Sequence, residues 1–174
     1  MAISLYDVSV GTYLQVLAGA ITVLEKGASH CEANAIAPAD IVATSLYPDM
    51  ANFHFQVSNI VHQSTGAITG LRNAEFGPPQ GTPVEMDYAG LQKYVADAIA
   101  ELTALTPDEV NQFEGGKVIF KLGEMEMPFT AENFILSFSL PNLYFHTTTA
   151  YDILRTKGVP VGKIDFLGAL RVGL

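Results

Sequence analysis

Apolar residues recur at spacings of three and four along four stretches of the chain, and at spacings of two along a fifth. Leu5, Tyr6, Val10, Tyr13, Leu14, Leu17, Ile21 and Leu24 make the first series. They trace one face of a helix predicted over residues 4–27. Ser4 followed by Asp7 is a weak capping signal at its start, and Lys26-Gly27 reads as its exit. Gly11 and Gly19 lower its helix propensity while permitting a neighbour to approach closely. Met50, Phe53, Val57, Ile60, Val61, Ile68 and Leu71 make the second series. A helix is predicted there over 48–72, with Pro48 at its first position and Asp49 in the first turn. The third series, Leu91, Tyr94, Val95, Ala98, Ile99 and Leu102, predicts a helix over 87–105 capped by Asp87.

The period then changes. Val118, Phe120 and Leu122 fall on one side, Met125 and Met127 alternate with Glu124 and Glu126, and Gly123 stands between the runs. A β-hairpin is predicted over 117–128. The fourth helical series spans 130–157 and carries more apolar surface than one stripe needs, as expected of a helix wrapped on most sides. Thr130 can cap it, Arg155 and Lys157 suit its last turn, and Gly158 with Pro160 stops it. Pro141 interrupts its middle, so a kink or restart is expected there, with Ser139 or water taking up the freed carbonyl. The segment EFGPPQGTP is a rigid linker, and the tail VPVGKIDFLG is expected to pack back on the body. The sum is one all-α domain over residues 1–174. It is a four-helix bundle with a long connection between helices 1 and 2 and a small hairpin before the last helix.

Charge and composition narrow the function classes. With 49% hydrophobic and 16% charged residues the chain has ample material for a core. A net charge of -9 argues against nucleic acid or an anionic membrane surface as partner. The N-terminus lacks the basic region of a signal peptide, and no apolar run reaches spanning length, so no membrane segment is expected. The single cysteine, Cys31, excludes an internal disulfide and fits the cytoplasm. Low charge leaves room for an apolar surface patch, and a homodimer is expected.

The candidate chemistry is histidine chemistry. His54 and His62 lie on the second helix and His146 on the fourth, with Asn142 one turn before it. Imidazole binds zinc, nickel or iron, and facing helices can hold such ligands across a bundle core. His62, Asn142 and His146 are the candidate metal ligands, with His54 the less favoured choice on the second helix. The alternative is a buried His146 hydrogen-bonded within the protein. No HExxH and no Glu-x-x-His pair is present, which excludes a zincin or di-iron carboxylate pattern. Tyr144 and Tyr151 share a face and are candidates to line a small-molecule cavity. No catalytic residue can be nominated: Cys31 beside His30 builds no oriented pair, and the glycines form no nucleotide loop. Lys163 and Asp165 in the tail are expected in a tail-to-core salt bridge.

The segments PNLYFHTTTAYDILRTKGVPVGKIDFLG and YPDMANFHFQV carry a resemblance. They are similar to a family labelled domain of unknown function 1993 (DUF1993), grouped with the DinB/YfiT-like four-helix bundles. The resemblance implies a divalent metal held by one histidine of the second helix and an HxxxH pair of the last. Carried over, these positions are His62, Asn142 and His146, with asparagine standing where the pattern has its first histidine. It also implies thiol-dependent transferase activity for the wider superfamily and no assigned activity for the family itself. Two readings follow. One is a bundle with a small-molecule or divalent-metal pocket between helices 2 and 4, of metal-dependent hydrolase or transferase type. The other is a non-enzymatic binding or assembly protein with a degenerate metal site.

Overall fold

The protein, as a computed structural model, is described over residues 3–79 and 84–172. Part of the EFGPPQGTP linker, residues 80–83, lies outside them. The elements in chain order are α1 (Leu5–Val8), α2 (Val10–Asn34), α3 (Pro38–Val42), α4 (Phe53–His62), α5 (Thr65–Asn73) and β1 (Glu75–Phe76). There follow α6 (Tyr88–Thr103), α7 (Pro107–Asn111), β2 (Lys117–Leu122), β3 (Met125–Thr130), α8 (Ala131–Phe134), a π turn (Ile135–Ser139), α9 (Leu140–Thr156) and α10 (Lys163–Leu167). The helices α2, α6, α4 and α9 close a ring, each packed on the next. That ring is the expected four-helix bundle.

Local signals explain much of this. Ser4 and Asp7 form a reciprocal capping box, the serine Oγ accepting from the Asp7 N–H and the carboxylate accepting from the Ser4 N–H. Asp87 caps α6, its Oδ1 accepting from the Gly90 N–H at 2.7 Å. Thr106 and Glu109 box the start of α7. The hairpin pairs Leu122 with Met125 around Gly123, whose φ of 60° is the left-handed conformation that a two-residue turn demands.

Three boundaries differ from the sequence expectation. The first helix does not stop at Gly27 but runs to Asn34, where Ala35 turns left-handed at φ 53°. Gly27 is instead a point of close approach. The Tyr88 hydroxyl of α6 lies against it and donates to the Leu24 carbonyl at 2.9 Å, and a Cβ on Gly27 would collide with the Tyr88 hydroxyl oxygen. The second helix does not begin at Pro48. A Ser45–Asn52 bridge closes a loop there, the Thr44 carbonyl takes the Phe53 N–H, and Asn52 caps the helix through the Phe55 N–H. It also breaks after His62, where the Ser64 hydroxyl bonds back to the Ile60 carbonyl at 2.9 Å, and resumes as α5.

The last helix solves its proline differently from a kink. The turn before Pro141 widens into the π turn Ile135–Ser139, and Pro141 enters the first turn of α9. The Asn142 amide donates to the Phe138 carbonyl at 2.7 Å. Ser139 does not serve its own helix; its hydroxyl donates across to the Gln63 carbonyl at 2.6 Å. The widened turn lets Phe134 and Phe138 stack, centroids 5.9 Å apart, against Phe76, Phe120 and Phe129 of the sheet. That sheet holds one strand more than the hairpin, because the two-residue β1 pairs in parallel with β2.

The tail packs back as expected. Val159 and Val161 are buried, and α10 lies on α2, where the Phe166 carbonyl approaches Gly19 so closely that a Cβ there would be 2.2 Å away. Asp165 meets Lys26 at 2.7 Å, the expected tail-to-core pair, with Lys163 taking no part in it. This half-exposed pair adds little by itself. The fused stretch Leu5–Asn34 is long and apolar enough to cross a membrane by length and composition, with half of its apolar window buried in the fold. Its partners are α6, α9 and α10, which is the setting of a core helix.

Candidate functional site

The seam between α4 and α9 is polar at its centre. Gln56, Asn59 and Gln63 recur at spacings of three and four along α4 and its exit, and all three are buried. Opposite them α9 presents His146, which is only 8% exposed. His146 Nδ1 lies 2.8 Å from Gln56 Oε1. The orientation of the glutamine is fixed by its other end, since its Nε2 donates to the Ala51 carbonyl at 2.9 Å. Oε1 is therefore the acceptor, Nδ1 carries the proton, and Nε2 keeps its lone pair. The rings of Phe55 and Phe145 stand edge-on to the imidazole, with centroids 5.9 and 5.3 Å away.

The other candidate ligands also hold protein partners. His62 Nε2 lies 2.8 Å from the Gly77 carbonyl, which can only accept, so that nitrogen is the donor. Its ring stacks on Phe76 at 4.6 Å, and its Nδ1 faces Gly66, where a Cβ would stand 3.0 Å away. His54 Nε2 accepts the Met86 N–H at 3.1 Å. Asn142 gives its amide to Phe138, leaving one carbonyl oxygen. Of the expected set, the atoms left for a metal are thus His62 Nδ1, His146 Nε2 and Asn142 Oδ1. An open catalytic site commonly has three protein ligands. Among the described residues no group of three or more His, Cys, Asp or Glu side chains is placed to hold a metal ion. With asparagine at position 142 the set holds one histidine fewer than the DinB-like resemblance implies.

Tyr144 and Tyr151 stand in different surroundings. Tyr144 is 44% exposed, whereas Tyr151 donates to the Val161 carbonyl at 3.3 Å and stands edge-on to Phe166 of the tail. Sequence reasoning missed Gln56, the residue that sets the His146 tautomer. The polar stripe of Gln56, Asn59 and Gln63 on an otherwise apolar helix was its available signal.

Burial, together with the neighbouring His62, pushes His146 down to about 4 from the ordinary 6.5. Burial also lowers His62, and the Gly77 carbonyl partly offsets this. Both rings are neutral at pH 7. The unfolded chain binds the His146 proton near pH 6.5 and the folded chain only near 4, so stability is full above 6.5 and falls as pH drops through that window. The expected loss is about 2–3 kcal/mol, with no further contribution from this group at lower pH. Urea titrations at stepped pH for wild type and His146→Gln check this, the variant losing that part of the slope.

Comparison with known proteins agrees with this architecture. The model for "Domain of unknown function (DUF1993)" matches residues 5–167. The chain belongs to the DUF1993 family. A solved structure described as a DinB family member from Shewanella denitrificans superposes with a TM-score of 0.80 at 25% identity. The alignment covers 98% of this chain and 95% of that one. No curated protein matches. This DUF1993 chain thus has the DinB/YfiT-like fold, predominantly helical, with a long fused N-terminal helix and a hairpin before the last long helix.

Proposed function

We propose that this DUF1993 protein is a non-enzymatic binding or assembly protein whose metal position is degenerate. One observation carries it: asparagine occupies position 142, where the implied metal pattern has a histidine, and its amide is given to the Phe138 carbonyl. The buried His146–Gln56 pair then serves to fix the packing of α4 on α9. The test is metal content and zinc, nickel and iron titration of untagged protein at pH 7, for wild type and His146→Ala. The expected result is no stoichiometric metal in either. Uptake of one equivalent by wild type, lost in the variant, would overturn the reading.

A metal-dependent hydrolase or transferase is the second reading, favoured by one detail. A ligating imidazole characteristically donates its other N–H to a second protein group, and Gln56 accepts in that manner from His146. Against it stands asparagine at position 142, which leaves two imidazoles where the implied pattern has three.

Assembly as a homodimer is part of the same proposal. Phe55, Tyr144 and Phe145 are 44–54% exposed on α4 and α9, a place where a second copy removes apolar surface from water. Sedimentation equilibrium is expected to give a dimer for wild type and a monomer for Phe145→Glu. A monomeric wild type would remove assembly from the proposal. A cytoplasmic setting belongs to it as well, and accords with the buried free thiol of Cys31.

A further inference from the structure

A second site lies apart from the α4–α9 seam. The C-terminal end of α2, the short α3, the first turn of α4 and the start of α6 enclose an open cleft of about 830 Å³. Small-molecule clefts usually fall between about 300 and 1,000 Å³. Its walls are aliphatic, with Ala28, Ile36, Ala39, Val42 and Met86 among them, and the buried Cys31 and Tyr88 contribute to its lining. The wall formed by residues 85–87 is held in place by two hydrogen bonds. His54 Nε2 accepts the Met86 N–H, and Asp87 caps the helix that follows.

The charges on this cleft are of one sign. Glu32, Glu85 and Asp87 line it, and among the described residues no lysine or arginine does. Glu32 and Glu85 are exposed and take no part in the ion pairs among the described residues. The chain's net charge of -9 deepens the negative potential there. These carboxylates do not converge with Cys31 or His54 as a metal-ligand group. They are spread about an apolar cleft, an arrangement that suits an organic cation rather than a metal ion. An anionic amphiphile would meet like charge, and a purely apolar one would gain nothing from the carboxylates.

We infer that this cleft binds a small amphipathic amine, its aliphatic body against Ile36, Ala39, Val42 and Met86 and its ammonium group among Glu32, Glu85 and Asp87. The inference is independent of the metal reading, because none of His62, Asn142 and His146 lines the cleft.

The test uses three probes of one chain length, octylammonium, 1-octanol and octanoate, titrated calorimetrically into the full chain at pH 7 and low salt. Octylammonium is expected to bind saturably and at least about tenfold more tightly than octanoate, with octanol between them. That preference should shrink in high salt and in Glu32→Gln/Glu85→Gln. Methyl resonances of Ile36, Val42 and Met86 should move on saturation, and Ala39→Trp, on the exposed face of α3, should abolish binding by all three probes. Equal affinity for the three probes would overturn the amine assignment. Absence of saturable binding by wild type, or methyl shifts confined to other parts of the protein, would overturn the site. If Ala39→Trp proves unstable, the wild-type methyl shifts decide the location without it.

Discussion

Phe134→Ala is expected to destabilise the protein by about 3–5 kcal/mol, the usual cost of removing a fully buried phenylalanine. Phe134 is 0% exposed and touches three parts of the fold at once. Its ring lies 5.1 Å from Phe76 of β1, 6.3 Å from Phe129 of β3 and 5.9 Å from Phe138 of its own helix. The cavity left by truncation would be walled by rigid aromatic rings tied to two strands and a π turn, so little collapse can relieve it. Leu136, two residues on, is 52% exposed and makes the natural control. Its alanine variant is expected to stay within about 0.5 kcal/mol of wild type. Urea denaturation of the two variants reads both values. Equal effects would mean that the aromatic cluster is not what fastens the sheet to the helices.

Ser139→Ala is expected to cost about 2–4 kcal/mol although it removes one oxygen. The Ser139 hydroxyl sits between two buried partners. It lies 2.6 Å from the Tyr13 hydroxyl of α2 and 2.6 Å from the Gln63 carbonyl at the end of α4. The carbonyl can only accept, so Ser139 donates to it and Tyr13 donates to Ser139. Burial holds the Tyr13 phenol far above its ordinary range and therefore protonated, so it remains a donor. Alanine at 139 strands both partners away from water, whereas Tyr13→Phe removes the outer donor alone and should cost about 1 kcal/mol. The measurement is the pair of unfolding free energies. If Tyr13→Phe were the more damaging, the serine would not be the centre of the chain.

The helices were legible because their caps and stripes are local. Ser4 with Asp7, Asp87 and Thr130 each start an element at or beside the residue that the sequence names. What escaped depends on residues far away in the chain. Gly27 reads equally well as a helix exit or as a point of close approach, and the deciding group is the Tyr88 hydroxyl of α6. Pro48 is a sound helix start locally, yet the Ser45–Asn52 bridge claims that stretch first. Pro141 announced an irregularity, but nothing local to it says whether the helix kinks or widens into a π turn. The strand β1 is two residues long, too short to leave a pattern.

At the candidate site the ligand types were visible and their commitments were not. His62 and His146 stand out in any apolar helix, but whether a ring nitrogen is free depends on the Gly77 carbonyl and on Gln56. Asn142 was the one warning written in the chain itself. Its amide turns to its own helix to serve Phe138.

The most direct measurement is a long-range nitrogen–proton NMR spectrum of the histidine rings, recorded at pH 7 with and without one equivalent of zinc. The account predicts a neutral His146 protonated on Nδ1 and a neutral His62 protonated on Nε2, with neither pattern changed by zinc. A His146 protonated on Nε2 would contradict the pairing with Gln56. A stoichiometric zinc-induced shift at His146 Nε2 would contradict the degenerate metal position and restore the metal-dependent enzyme as the better reading.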